Sequence, residues 1–197
     1  ASFKEGQAIK IGAKTSDLDG SVVKVEFFQG ETKLGEAVGQ PFEVFVDYAH
    51  TDDALRRCLQ GLKSITPGRI LCVFGAGGDR DRTKRPLLGR AALLADVAIV
   101  TSDNPRSEAP LSIINDIVEG MSASLTSPII EADRAAAIRM ALDMARPGDC
   151  VLIAGKGHEN EQVIGDRKLP FDVRQVTRAL LSEQWRPLPG QKRRASA

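Results

Sequence analysis

Cysteine is scarce in this 197-residue chain, with three in all, Cys58, Cys72 and Cys150, far apart and set in apolar runs. An odd number at such spacing excludes a disulfide framework and a cysteine metal cluster, and predicts reduced, buried thiols. Excess charge is also lacking. Lys and Arg number 27 against 26 Asp and Glu, a formal net charge of +1, which gives no footprint for nucleic acid or a membrane surface. No apolar run approaches the roughly 18 residues a membrane span needs. The first residues show no charged-then-apolar export pattern, so a cytoplasmic location is expected. No Gly-Lys-Ser/Thr loop occurs, nor a dinucleotide-type glycine spacing after a strand. What is present is globular in kind: 42% hydrophobic and 27% charged residues rule out wholesale disorder.

The pattern changes near residue 40. Before it, Ala8–Ala13, Ser21–Gln29 and Thr32–Ala37 read as short strands, with turns at Asp17-Leu18-Asp19-Gly20 and Gly30-Glu31. Val23, Val25 and Phe27 alternate with Lys24 and Glu26, as in a half-buried strand. After Pro41, strands alternate with helices. Strands are expected at Glu43–Tyr48, Arg69–Phe74, Val97–Thr101, Pro128–Glu131 and Cys150–Ala154. Helices are expected at Asp52–Ile65, Leu87–Ala95, Leu111–Met121, Arg134–Ala145 and Asp172–Glu183, with a hairpin from Gln162–Gly165 to Lys168–Phe171. This is an α/β class: a Rossmann-like, mostly parallel sheet with helices on both faces, preceded by a small β segment. Residues 186–197 read as a flexible tail carrying Lys192-Arg193-Arg194.

Four polar segments follow strands, on the side where such sheets bind ligands. Tyr48-Ala49-His50-Thr51-Asp52-Asp53 offers His50 and Asp53 to a ring, ribose or metal-bound phosphate; a helix cap beside a surface histidine is the plainer reading. Gly75-Ala76-Gly77-Gly78 leads into Asp79-Arg80-Asp81-Arg82-Thr83-Lys84-Arg85, a salt-bridged scaffold for an anion or a plain surface charge cluster. Asp103-Asn104-Pro105-Arg106 joins acid and base in a proline-fixed loop, as a zwitterionic amino acid requires; a helix-capping turn is the alternative. Gly155-Lys156-Gly157-His158-Glu159 adds bare backbone and an acceptor for an ammonium.

Taken in order, these four segments resemble the C-terminal domain of the Mur ligases, over about residues 40–185, and within that family the branch that adds meso-diaminopimelate. Asp103-Asn104-Pro105-Arg106 is the most specific element of the resemblance. It implies that Arg80, Asp103, Asn104, Pro105, Arg106, Gly155 and Glu159 bind the distal end of meso-diaminopimelate. Arg80 and Arg106 would grip its carboxylate, and Asp103 and Glu159 would balance its ammonium. His50 and Asp53 would face the nucleotide. The implied activity is an ATP-dependent ligase of peptidoglycan-precursor synthesis, joining meso-diaminopimelate to UDP-N-acetylmuramoyl-dipeptide. ATP and magnesium belong to the full-length family, whose P-loop central domain is a missing partner here. This chain alone is expected to bind neither, to be inactive, and to bind meso-diaminopimelate weakly. No metal site is expected.

The chain departs from the family at Asp52, where a proline is usual, and at Val173, where an acid is usual. Residues 1–39 resemble a fragment of a bacterial immunoglobulin-like repeat. That reading suggests a shuffled chimera, with homo-oligomer formation through the β segment. The rival function is accordingly a non-enzymatic folded protein whose β segment completes a new fold.

Overall fold

The structure is a computed structural model, which describes residues 24–29, 32–38, 42–122 and 127–184. Strands β1 (Lys24–Gln29) and β2 (Thr32–Val38) pair antiparallel, with a register shift between Phe27 and Phe28. The expected strand Ala8–Ala13, the turn at 17–20 and the tail 186–197 lie outside the described residues.

The main sheet contains β3 (Glu43–Asp47), β4 (Ile70–Phe74), β5 (Val97–Val100), β6 (Ile129–Ile130) and β7 (Cys150–Ala154). Its order is β3-β7-β4-β5-β6, and every pairing within it is parallel. The helices are α1 (Asp52–Lys63), α2 (Lys84–Ala92), α3 (Pro110–Glu119), α4 (Arg134–Met144) and α5 (Val173–Gln184). A small hairpin, β8 (Glu161–Ile164) with β9 (Arg167–Pro170), precedes α5.

Alternation along the strands builds two cores. On β4, Ile70, Cys72 and Phe74 join a cluster with α1, α2 and α3, whereas Leu71 and Val73 face α4 and α5. Cys150, Leu152 and Ala154 of β7 divide from Val151 and Ile153 in the same way. Both strands are buried along their whole length, as a sheet covered on two faces demands. In α1, Leu55, Cys58, Leu59 and Leu62 fall at helical spacing on the buried face. Thr51 caps this helix, its Oγ1 accepting from Ala54 N at 3.2 Å. The three cysteines are free and buried, and burial first of all pushes the thiols of Cys58 and Cys150 up to about 12.

Chain order and spatial order disagree at one place. The units β3-α1-β4, β4-α2-β5 and β5-α3-β6 step across one face, and then α4 returns on the other face to insert β7 between β3 and β4. The carboxyl ends of β4, β5 and β7 therefore converge where the winding reverses, which is where open α/β sheets bind ligands.

Candidate functional site

The loops after β3, β4, β5 and β7 enclose a cleft of about 360 Å³. Its walls include Tyr48 and His50 after β3, Gly75, Ala76, Gly77 and Arg80 after β4, Asp103, Asn104 and Arg106 after β5, and Gly155 and Glu159 after β7. All four polar segments singled out in the sequence thus meet at one place.

The loop after β5 is fixed from two sides. Asn104 O accepts from Gly78 N at 2.9 Å, tying it to the glycine run. The β8–β9 hairpin holds it from the other side. Arg106 N donates to Val163 O at 3.0 Å, Gly165 N donates to Arg106 O at 2.7 Å, and Gln162 Nε2 donates to Asp103 O at 2.6 Å. Arg106 adopts a φ of 51°, a left-handed conformation seldom taken by a long side chain. Such strain persists only where surrounding bonds over-determine the backbone, as the hairpin does here. Its Nη1 donates to Gly78 O at 2.7 Å, which aims the guanidinium along the cleft wall.

Beneath the loop lies Lys156, fully buried. Its Nζ reaches Glu159 Oε2 at 2.9 Å, Asn104 Oδ1 at 3.0 Å and Asp103 Oδ1 at 3.4 Å. Asn104 Nδ2 also donates to Glu159 Oε2 at 3.0 Å, and Val163 N to Asn104 Oδ1 at 2.9 Å. Burial works to raise the Glu159 carboxyl, but the bonds from Lys156 and Asn104, with Arg106 nearby, hold it below the usual range. Gly155 has a φ of +111°, and a Cβ there would lie 2.9 Å from Asp103 Oδ2, so only glycine lets the two loops close together.

Two buried arginines brace the floor. Arg134, the first residue of α4, donates to Ser102 O at 3.1 Å and Ala154 O at 2.7 Å, joining the ends of β5 and β7 from the far face. Burial lowers this guanidinium, and Asp103 opposes the shift. Arg85 makes a bidentate pair with Glu108 at 2.6 and 2.9 Å, and reaches Asp116 at 2.8 Å. The Arg85 bonds, followed by the bond from Asp79 N, pull Glu108 down to about 2. Arg82 also pairs with Asp116, at 3.2 Å. The basic run after β4 therefore divides: Arg82 and Arg85 are held by carboxylates, Arg85 at the cleft wall itself, while Arg80 and Lys84 line the cleft with no salt bridge to a carboxylate among the described residues.

Of the residues expected at the site, Arg80, Asp103, Asn104, Arg106, Gly155, Glu159 and His50 line the cleft, and Pro105 and Asp53 do not. Pro105 stands behind the loop, where its carbonyl accepts from Glu108 N at 3.1 Å. Asp53 is turned along α1 and paired with Arg57 at 2.8 Å and Arg56 at 3.6 Å. Its neighbour Asp52 lines the cleft instead. Val173 is core, with Asp172 before it accepting from Arg174 N at 2.9 Å. Sequence reasoning gave no role to Lys156, Arg134 or Gln162. For Lys156 the available signal was a lysine held between two glycines straight after an apolar strand. Among the described residues, no group of three or more His, Cys, Asp or Glu could hold a metal ion.

Comparison with known proteins agrees with this geometry. Residues 33–157 match the family described as Mur ligase, glutamate ligase domain. The chain belongs to the Mur ligase family. A relative from Solibacter usitatus, named UDP-N-acetylmuramoyl-L-alanyl-D-glutamate--2,6-diaminopimelate ligase, is 54% identical over 73% of this chain and 29% of its own length. A Prochlorococcus marinus protein of the same name is 46% identical over 92% of this chain and 36% of its own. A solved structure of a ligase so named superposes with a TM-score of 0.72 at 38% identity, covering 84% of this chain and 32% of that one. This Mur ligase chain thus spans about a third of the length of the curated relatives it matches. The immunoglobulin-like and chimeric readings of residues 1–39 find no support. The family match begins at residue 33, and an alignment over 92% of the chain must enter a segment that makes up about a fifth of it.

Proposed function

We propose that the chain is the amino-acid-binding domain of an ATP-dependent, cytoplasmic ligase that joins meso-diaminopimelate to UDP-N-acetylmuramoyl-dipeptide; its relatives are named as ligases of 2,6-diaminopimelate and UDP-N-acetylmuramoyl-L-alanyl-D-glutamate. The observation that carries this reading is one cleft gathering two arginines, Arg80 and Arg106, with two acids, Asp103 and Glu159. Such a set suits an amino-acid end, with carboxylate on the guanidinium groups and ammonium on the acids. Asn104 and Gly155 complete the pocket, and Pro105 fixes the loop that presents Asn104 and Arg106. Gripping the distal end leaves the other amine free to attack an activated acyl carbon brought in from outside the cleft. His50, at the rim, is the nucleotide-facing residue.

Among the described residues, no set fits the phosphates of ATP or their magnesium. The sequence has no P-loop, and the described residues hold no carboxylate or histidine cluster suited to a metal. Both belong to other parts of the full-length ligase, and no chemical step passes through them here.

Calorimetric titration of the chain with meso-diaminopimelate and with L-lysine tests the reading. L-Lysine lacks the second carboxylate. Each charge-assisted hydrogen bond is worth roughly 1.5–3 kcal/mol, so meso-diaminopimelate should bind at least about tenfold more tightly. Arg106→Ala should bring the two affinities together. Equal affinities in the native chain would contradict the assignment.

A further inference from the structure

We infer that Lys156 is a positioning residue that sets the charge of the distal pocket, so that the pocket accepts a zwitterionic amino-acid end and discriminates against a lone ammonium. This inference rests on the reading of the cleft as an amino-acid site.

Lys156 cannot itself be a ligand contact. Its ammonium carries three donors, and the structure supplies three acceptors, Asp103 Oδ1, Asn104 Oδ1 and Glu159 Oε2. It is fully buried and absent from the cleft wall, whereas its three partners all line the cleft. The chain turns it inward between two glycines of positive φ, Gly155 at +111° and Gly157 at +48°. Every effect of Lys156 on a ligand therefore passes through these partners or through its field.

That field has a definite sign. Asp103 and Glu159 bring two negative charges to the pocket, and Arg80, Arg106 and the buried Lys156 bring three positive ones. The distal end of meso-diaminopimelate, an ammonium beside a carboxylate, is neutral in sum and presents an anion to the guanidinium groups as well as a cation to the acids. The distal end of L-lysine is a bare cation. With Lys156 present, one acid oxygen of each pair is already committed to an internal ammonium, so a bare cation finds little uncompensated negative charge. Without Lys156 the pocket would gain one net negative charge. Arg106 stays beside Glu159 and favours its ionised carboxylate, and Arg134 stays near Asp103. Removing a cation from such a site must favour the more positive of two ligands. At the short range of this pocket the change in preference should reach tenfold or more, on the order expected for unit charges in a partly buried site.

Lys156→Met, Lys156→Arg and Glu159→Gln are compared with the native chain by calorimetry, using meso-diaminopimelate and L-lysine, with urea unfolding to confirm a cooperative fold. Lys156→Met should shift the affinity ratio toward L-lysine by about tenfold or more, and Lys156→Arg should retain the native preference. Glu159→Gln, which removes a negative charge instead, should move the ratio further toward meso-diaminopimelate. A purely structural lysine would weaken both ligands alike and leave the ratio unchanged in Lys156→Met, which would overturn the inference. If Lys156→Met does not fold, loss of the preference in Lys156→Arg, or a Glu159→Gln ratio that moves toward L-lysine, overturns it. A native chain that binds the two ligands equally refutes the amino-acid site and this inference together. A native preference that survives unchanged in Lys156→Met refutes the role of Lys156 alone.

Discussion

Glu108 and Arg85 show how single side chains hold the wall of the cleft in shape. Arg85 is buried, and Glu108 and Asp116 compensate its charge with three close bonds. The bonds from Arg85 and then from Asp79 N depress Glu108 to about 2 in the folded chain, below its ordinary value near 4.5. A depressed carboxyl stabilises the fold above the unfolded value, and that stability is lost as pH falls through the folded one. The urea midpoint of the native chain should therefore drop as pH falls from about 5 toward 2.5. Glu108→Gln should be less stable at pH 7 and flatter over that acid range, as followed by urea titration at several pH values. An unchanged acid slope in Glu108→Gln would show that the pair does not contribute.

At the scale of elements, the strands were the most legible part of the sequence and the loop contacts the least. Cys150–Ala154 was readable to the residue because five apolar side chains run between Asp149 and Gly155. Helix α2 was expected from Leu87 but starts at Lys84. Pro86 sits in its first turn, where the missing N–H has no intrahelical partner to lose, so the proline does not block an earlier start. The polar loops could be found, but not the partition within them. Nothing in Arg80-Asp81-Arg82-Thr83-Lys84-Arg85 says which cations are scaffold, because Glu108 and Asp116 come from more than 20 residues later in the chain. The role of Arg134 likewise depends on α4 lying across the sheet from the cleft, a long-range fact with no local mark. Packing between elements carries its own prediction. Gly89 on α2 faces α3 so closely that a Cβ would lie 2.2 Å from Ile117 O. Gly89→Ala must push the two helices apart, and overpacking of this kind costs roughly 1–3 kcal/mol. Urea unfolding should show that loss, and an unaltered midpoint would contradict the close helix approach.

For the whole molecule, the parallel sheet and its winding decide where chemistry can sit. Helices α1–α3 cover one face and α4–α5 the other, so the open place for a ligand is the carboxyl edge where β7 enters between β3 and β4. The four polar segments are far apart in sequence, yet each follows one of the strands β3, β4, β5 and β7 and so reaches the same cleft. No helix among the described residues is long and apolar enough to cross a membrane. The central claim is that this cleft holds the distal end of meso-diaminopimelate. An isotope-edited NMR titration of the chain tests it most directly. Amide shifts on adding meso-diaminopimelate should concentrate at Gly77, Asn104, Arg106, Gly155 and Glu159, and should be smaller with L-lysine at equal concentration. Shifts centred elsewhere, such as on α5, or an identical pattern and amplitude with both amino acids, would contradict the account.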